Sequence, residues 1–194
     1  MEVLIINSAE PEDQSFVDPI KGALVGTDTT VQVREYGEVY DVNSFDAVII
    51  SASPKGDDIV NDHRQNFEWL LTYQNPVLGI CAGHQLIGTM FGGELKRDTE
   101  AEDGDIHIQI VKEDPLFKRH EGELKVEQHH NDSITLPADF ELLATSDKCE
   151  VQAMRHKERP TYSVQWHAER SNPDIIRNFI NEIVRGISTI EPLT

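Results

Sequence analysis

A cysteine set between glycines, where a buried apolar run gives way to a helical pattern, is suited to nucleophilic chemistry. The segment Val77-Leu78-Gly79-Ile80-Cys81-Ala82-Gly83-His84-Gln85 has that form. Its mechanics match a strand-to-helix nucleophile elbow with sulfur in place of oxygen. A tight turn strains the nucleophile's backbone and crowds the flanking side chains, and glycines at 79 and 83 relieve that crowding. The following helix turns its N-terminus toward Cys81, which favours thiolate over thiol. The Ala82 N–H is then aimed at a developing oxyanion. A buried structural cysteine beside a glycine-containing turn would carry the same local pattern.

A cysteine nucleophile needs a base, and the base needs an acceptor that orients it. With 8 histidines in the chain, the presence of one is weak evidence. The informative one lies in Tyr162-Ser163-Val164-Gln165-Trp166-His167-Ala168-Glu169, where a strand-like run delivers His167 at its end. Residues i and i+2 share a face in an extended segment, so Glu169 can hold the imidazole tautomer and stabilise the imidazolium. Taken alone, the segment would sooner describe a surface histidine near a glutamate.

The elements that must position these groups follow from apolar patterning. Val3 to Ile6, Val31 with Val33, Ala47 to Ile50 and Val77 to Ile80 read as strands. Ser15 to Val25, Ile59 to Tyr73 and His84 to Phe91 read as helices, the last stopped by Gly92-Gly93. Apolar strands alternating with helices imply an α/β fold: a mainly parallel central sheet covered by helices on both faces. The second half changes character. Ile106, Ile108 and Ile110 alternate, as do Leu124 and Val126, and Leu142, Val151 and Tyr162 lie in short strand-like runs joined by polar loops. Antiparallel additions to the sheet are expected there. A final helix from Pro173 to Val184 follows Asn172, a candidate N-cap. No repeat, low-complexity tract or linker interrupts the chain, so one domain is expected over residues 1–194.

Composition narrows the function classes. The 194 residues hold 38% hydrophobic and 27% charged side chains, the balance of a soluble globular protein. No apolar run approaches the roughly 18 residues of a spanning helix, and the N-terminus lacks the features of a signal peptide, so a cytoplasmic protein is expected. The 17 basic and 35 acidic residues give a formal charge of −18, which argues against nucleic-acid or anionic-membrane binding. That excess fits either solubility or a docking surface for a basic partner. The two cysteines, Cys81 and Cys149, are better read singly than as a disulfide.

The pairing of Gly-Ile-Cys-Ala-Gly-His-Gln at 79–85 with Gln-Trp-His-Ala-Glu at 165–169 resembles the class I glutamine amidotransferases, in the right order over nearly the whole chain. Within that class it is most similar to the amidotransferase part of GMP synthases. Gln128-His129-His130-Asn131-Asp132-Ser133-Ile134 and Leu136-Pro137-Ala138-Asp139-Phe140 resemble that family's His/Asp stretch and the strand after it. The resemblance implies a flavodoxin-like fold, a Cys81–His167–Glu169 triad that uses no cofactor or metal, and an oxyanion hole from the N–H groups of Ser53 and Ala82. It places Gln85 at the glutamine substrate, with the loop around Gln128, His129 and His130 holding the amino-acid end. His130 and Asp132 match a pair linked to inter-subunit signalling, and Cys149 falls at a packing position.

Three departures stand out. The usual Ser-Gly-Gly-Pro oxyanion loop is Ser51-Ala52-Ser53-Pro54 here, His-Pro-Glu is His167-Ala168-Glu169, and Arg170-Ser171-Asn172-Pro173 replaces a longer His-Thr loop. With no ATP-pyrophosphatase domain in these residues, ammonia delivery to a separate synthetase subunit is the leading expectation, with XMP as final acceptor. A stand-alone γ-glutamyl hydrolase is the first alternative, and a catalytically silent glutamine- or partner-binding subunit the second.

Overall fold

In the computed structural model, which describes residues 1–55 and 57–188, strands and helices alternate through the first half. Strand β1 (Glu2–Asn7) leads to helix α1 (Val17–Leu24), then β2 (Thr30–Glu35) and β3 (Ala47–Ile50). Helix α2 (Asp57–Asp62) and a 3₁₀ segment (Arg64–Leu71) precede β4 (Val77–Ile80) and helix α3 (Ala82–Met90). The second half supplies β5 (Leu95–Lys96), β6 (Glu102–Ile110), β7 (Glu123–His130), β8 (Ser133–Ile134), β9 (Phe140–Thr145), β10 (Ala153–His156) and β11 (Thr161–Val164). The chain then runs through helices α4 (Ala168–Ser171) and α5 (Pro173–Asn178), a π-helical stretch (Phe179–Val184) and α6 (Arg185–Ser188).

Nine strands form one sheet in the order β2-β1-β3-β4-β11-β10-β9-β6-β7. The first five are mutually parallel, in register pairs such as Ile5↔Ile49, Ile49↔Leu78 and Ser163↔Gly79. Counting β11 as the fifth gives the doubly wound order 2-1-3-4-5. Everything from β5 to β10 is therefore an insertion between the fourth and fifth parallel strands. The remaining pairings, β11-β10, β10-β9, β9-β6 and β6-β7, are antiparallel.

Successive side chains of the central strands enter opposite layers, which is why these strands are apolar throughout. Val3, Ile5, Ile49 and Leu78 pack with α1 and with Ile175, Ile176, Phe179 and Ile180. Leu4, Ile6, Val48 and Ile50 pack with Ile59, Phe67, Leu70, Leu86 and Ile87 on the other side.

The structure corrects the sequence reading at several places. Tyr162 belongs to β11, which lies parallel to β4 rather than among the antiparallel additions. Val151 precedes β10, where the ladder with β9 shifts register between Ala153 and Met154. The helix expected over 59–73 breaks at His63 (φ −123°, ψ 8°). Asn61, Asp62, His63 and Asn66 are weak helix formers, and the Gln65 amide caps Asp62 O at 3.0 Å. The tighter 3₁₀ repeat keeps Phe67 and Leu70 on one buried face and leaves Leu71 43% exposed. Asn172 does stand before Pro173, but its side chain caps nothing. It donates to Lys125 O at 3.2 Å and accepts from Ser171 Oγ at 2.6 Å, tying the last helix to β7.

Close packing of α3 on the sheet depends on two glycines. A Cβ on Gly83 would lie 2.6 Å from Ile50 O, and one on Gly79 would lie 2.5 Å from Gly83 O. Backbone atoms cannot yield as a side-chain tip can. Gly83→Ala should therefore destabilise the fold by about 1–3 kcal/mol through overpacking. Gly22→Ala in α1, whose Cβ would meet nothing within 4 Å, should stabilise it by roughly 0.5–1 kcal/mol. Urea unfolding of both variants checks the opposite signs.

Candidate active site

The carboxyl ends of β3, β4 and β11 open onto one cavity of about 770 Å³, where ligands of open α/β sheets characteristically bind. Cys81 follows β4 directly and sits at φ 50°, ψ −103°, a conformation that strains any residue with a Cβ. Its N–H donates to Val164 O at 2.9 Å and its carbonyl accepts from Gln85 N at 3.1 Å, so β11 and α3 together fix the turn. A second tie is buried beneath it: His84 Nδ1 and Ser163 Oγ are 2.8 Å apart, joining α3 to β11. Burial, with the nearby His130, pushes His84 down to about 3, so it stays a neutral packing group.

His167 lines the same cavity at 3% exposure, and its Nδ1 lies 2.8 Å from Glu169 Oε1. The route to that contact differs from the sequence argument. The extended run ends at Val164, and Glu169 lies in the first turn of α4 rather than two places along a strand. His167 turns at φ −80°, ψ 74°, its N–H held by Glu127 O at 3.0 Å, and the helical turn brings the carboxylate back to the ring. Burial alone would disfavour the charged ring. The electrostatic pull of Cys81 and the hydrogen bond to Glu169 outweigh it and hold the pKa at about 10. Phe16 covers one side, its ring centre 5.9 Å from that of His167, and Arg170 lies over Phe16 at 5.3 Å.

Ala82 heads α3, whose first N–H groups have no intrahelical partners. Ser53 borders the cavity from the loop after β3, and its hydroxyl accepts from Lys55 N at 3.1 Å, engaged in its own turn. Ser51, buried behind it, accepts from Ser8 N at 3.0 Å and donates to Ala52 O at 2.8 Å. Gln85, His129, His130 and Asp132 all line the cavity. Gln85 Nε2 donates to Asp132 O at 2.7 Å.

Two placements differ from the sequence reading. Residues 128–130 end strand β7 rather than forming a loop. Gln128 does not line the cavity: it is 1% exposed and donates to Gln152 Oε1 at 2.6 Å. His129, on the opposite face, is exposed and pairs with Asp103 at 2.7 Å. The remaining cavity wall includes Lys55, Glu102 and Arg170, none of which sequence spacing marks. Gln165 also escapes the sequence reading, though its Nε2 lies 3.7 Å from Cys81 Sγ and its Oε1 accepts from Gln85 at 3.3 Å. Its place two residues before His167 is the one signal that points to it.

A strained cysteine at a strand-to-helix turn, facing a buried histidine–glutamate pair at the carboxyl edge of a doubly wound sheet, defines a class. Residues 12–183 match the family model of class-I glutamine amidotransferases, and the chain belongs to that family. Its relatives within the family include glutamine-hydrolysing subunits A of GMP synthases. It is 34% identical to the one from Methanosphaera stadtmanae, over 87% of this chain and 89% of that one. Against its Pyrococcus furiosus counterpart it is 46% identical over 54% of this chain and 58% of that one. A solved Thermoplasma acidophilum structure that also bears the name of a GMP synthase subunit superposes with a TM-score of 0.85 at 26% identity, covering 98% of this chain and 96% of that one. A Thermotoga maritima glutamine amidotransferase shares the fold, with a TM-score of 0.73 at 21% identity over 99% and 86%.

The His167 geometry sets a sign for pH dependence. Its folded-state pKa of about 10 stands above the ordinary 6.5, so its contribution to stability is complete below pH 6.5 and fades as pH rises toward 10. In Glu169→Gln the carboxylate's share is lost, so ring-proton NMR should show His167 titrating at lower pH. The melting temperature should correspondingly fall less between pH 6.5 and 10 than in the parent protein. An unchanged ring titration would contradict this source of the shift.

Proposed function

We propose that Cys81, His167 and Glu169 act as the catalytic triad of a glutamine-hydrolysing subunit that feeds ammonia to a separate synthetase. The observation that carries the reading is the His167 ring, hydrogen-bonded to Glu169, lining the same cavity as Cys81. The Cys81 thiol gives its proton to His167 and the sulfur attacks the side-chain amide carbon of glutamine. The oxyanion is met by N–H groups at the head of α3, Ala82 first, with Ser53 N–H as the second donor. The imidazolium returns the proton to the leaving nitrogen, ammonia departs, and water, deprotonated by His167, cleaves the glutamyl thioester. Glu169 stabilises the imidazolium at each stage. Gln85, with the exposed His129 across the cavity, holds the amino-acid end of the substrate.

The names of the relatives support a separate partner subunit. A glutamine-hydrolysing subunit of GMP synthase is half of an activity, and the acceptor we assign here is XMP, which an ATP-pyrophosphatase partner activates in the cytoplasm. His130 and Asp132 both line the cavity, with the half-buried Asp132 nearer to solvent, which supports a signalling role for the pair. The Ser51-Ala52-Ser53-Pro54 loop bears on regulation. Without glycine at 53 the peptide is less free to turn its N–H inward. One oxyanion donor is worth about 2.7–4 kcal/mol, so a misdirected one costs on the order of a hundredfold or more in rate.

Turnover measurements test the roles separately. Cys81→Ala and His167→Ala should abolish glutamine hydrolysis with the fold intact by circular dichroism. Glu169→Gln should be milder, because an amide still orients the ring. Equal and negligible effects of the two triad-partner changes would remove His167 and Glu169 from the chemistry.

The partner claim has its own test. Isolated chain should hydrolyse glutamine slowly and accelerate strongly when an ATP-pyrophosphatase partner, XMP and ATP are added, and Ser53→Gly should raise the unstimulated rate. Faster cleavage of a γ-glutamyl conjugate than of glutamine, with no stimulation, would replace ammonia supply with a stand-alone hydrolase.

A further inference from the structure

At the cavity wall, Glu102 on β6, His130 at the end of β7 and Cys149 in the turn before β10 converge, each offering a ligand atom within 4.8 Å of the others. The side chains of Glu102 and His130 are each 1% exposed, and Cys149 is 0% exposed. The chemistry of the Glu102–His130 pair is specific. His130 Nδ1 lies 2.9 Å from the main-chain oxygen of Asp132, which can only accept, so this nitrogen carries a proton. In a neutral ring the other nitrogen is then a bare lone pair, yet Nε2 faces Glu102 Oε2 at 3.3 Å.

Glu102 is held as a carboxylate. Ser146 Oγ donates to Oε1 at 2.6 Å and Gln152 Nε2 to Oε2 at 2.6 Å. A lone pair and a carboxylate facing each other call for a positive charge between them. That charge is either a second ring proton or a cation.

Geometry and donor set favour a cation. Two ligands about 2.0–2.1 Å from a tetrahedral metal stand roughly 3.3 Å apart, which is the spacing of Nε2 and Oε2. Protonated Nδ1 donating to a main-chain carbonyl is the arrangement that orients a metal-bound histidine. Ser146 and Gln152 supply the outer hydrogen bonds that a ligating carboxylate normally has. The third donor is sulfur, which selects against magnesium and calcium. Glu102 and His130 both line the Cys81 cavity, so a fourth position and a path for the ion open there.

We propose that Glu102, His130 and Cys149 bind a thiophilic divalent cation of the zinc type, separate from the Cys81 nucleophile. Binding exchanges the Cys149 thiol proton for a sulfur–metal bond and releases that proton to solvent, with no change of oxidation state. The ion ties β6, β7 and the turn at 149 together at the base of the insertion. Through His130 it also fixes the Asp132 carbonyl that Gln85 shares.

The test uses cobalt(II) as probe and the Cys81→Ala chain, in which Cys149 is the only remaining cysteine. Any thiolate-to-cobalt charge-transfer band must then come from Cys149. One equivalent of cobalt should give that near-ultraviolet band with the visible absorption of a tetrahedral ion, and zinc should displace it. Glu102→Gln and His130→Ala in that background should each weaken cobalt binding at least about tenfold. Absence of the band at excess cobalt overturns the site and leaves a buried His130–Glu102 ion pair. A band indifferent to both Glu102→Gln and His130→Ala overturns it equally. The first reading stands on Cys81→Ala alone should the double variants fail to fold.

Discussion

The backbone of Cys81, at φ 50° and ψ −103°, is the conformation on which the rest of the site depends. Such a conformation costs of order 1–3 kcal/mol and persists only where its surroundings over-determine it. Here the surroundings are main chain. Val164 O holds the Cys81 N–H, Gly83 sits against Ile50 O, and Gly79 sits against Gly83 O. The three parallel strands meeting at the elbow thus aim the sulfur, and changing a side chain alone cannot re-aim it. The same strands fix the two other arms of the site, since Ser53 follows β3 and His167 follows β11.

Everything between β4 and β11 in the chain is an insertion that must return to the sheet in register, or His167 is misplaced. Hydrogen bonds across that seam show how the return is secured. His84 meets Ser163, Gln85 meets Gln165, His167 N–H is held by Glu127 O, and Asn172 reaches Lys125 O. The insertion also builds the cavity wall opposite Cys81, from Glu102 and Asp103 on β6 through His129 and His130 on β7 to Asp132. The scaffold therefore supplies Cys81, and the insertion supplies much of what faces it.

The sequence is legible where a local rule forces a residue type. Glycines at 79 and 83 announce the elbow, because a Cβ at either position would strike backbone. The apolar runs 3–6, 47–50 and 77–80 announce strands buried on both faces. What stays hidden depends on contacts distant in the chain. The parallel seating of β11 is set by its pairing with Val77 to Ile80, which its own alternation does not reveal. Gln165 and Glu102 acquire their neighbours only when β6, β7 and β11 assemble, so spacing cannot single them out. Gln128 reads as substrate-facing only while its partner is unknown, and Gln152, from a distant part of the chain, takes up its amide.

The central claim is that the Cys81 sulfur carries the glutamyl group during turnover. Rapid acid quench of the protein during glutamine hydrolysis, followed by peptide mass spectrometry, tests it most directly. The account predicts a glutamyl thioester on the peptide containing Cys81, absent in Cys81→Ala and accumulating when the His167-assisted hydrolysis step is slowed by Glu169→Gln. A glutamyl adduct on Cys149, or hydrolysis that continues at the parent rate in Cys81→Ala, would contradict it.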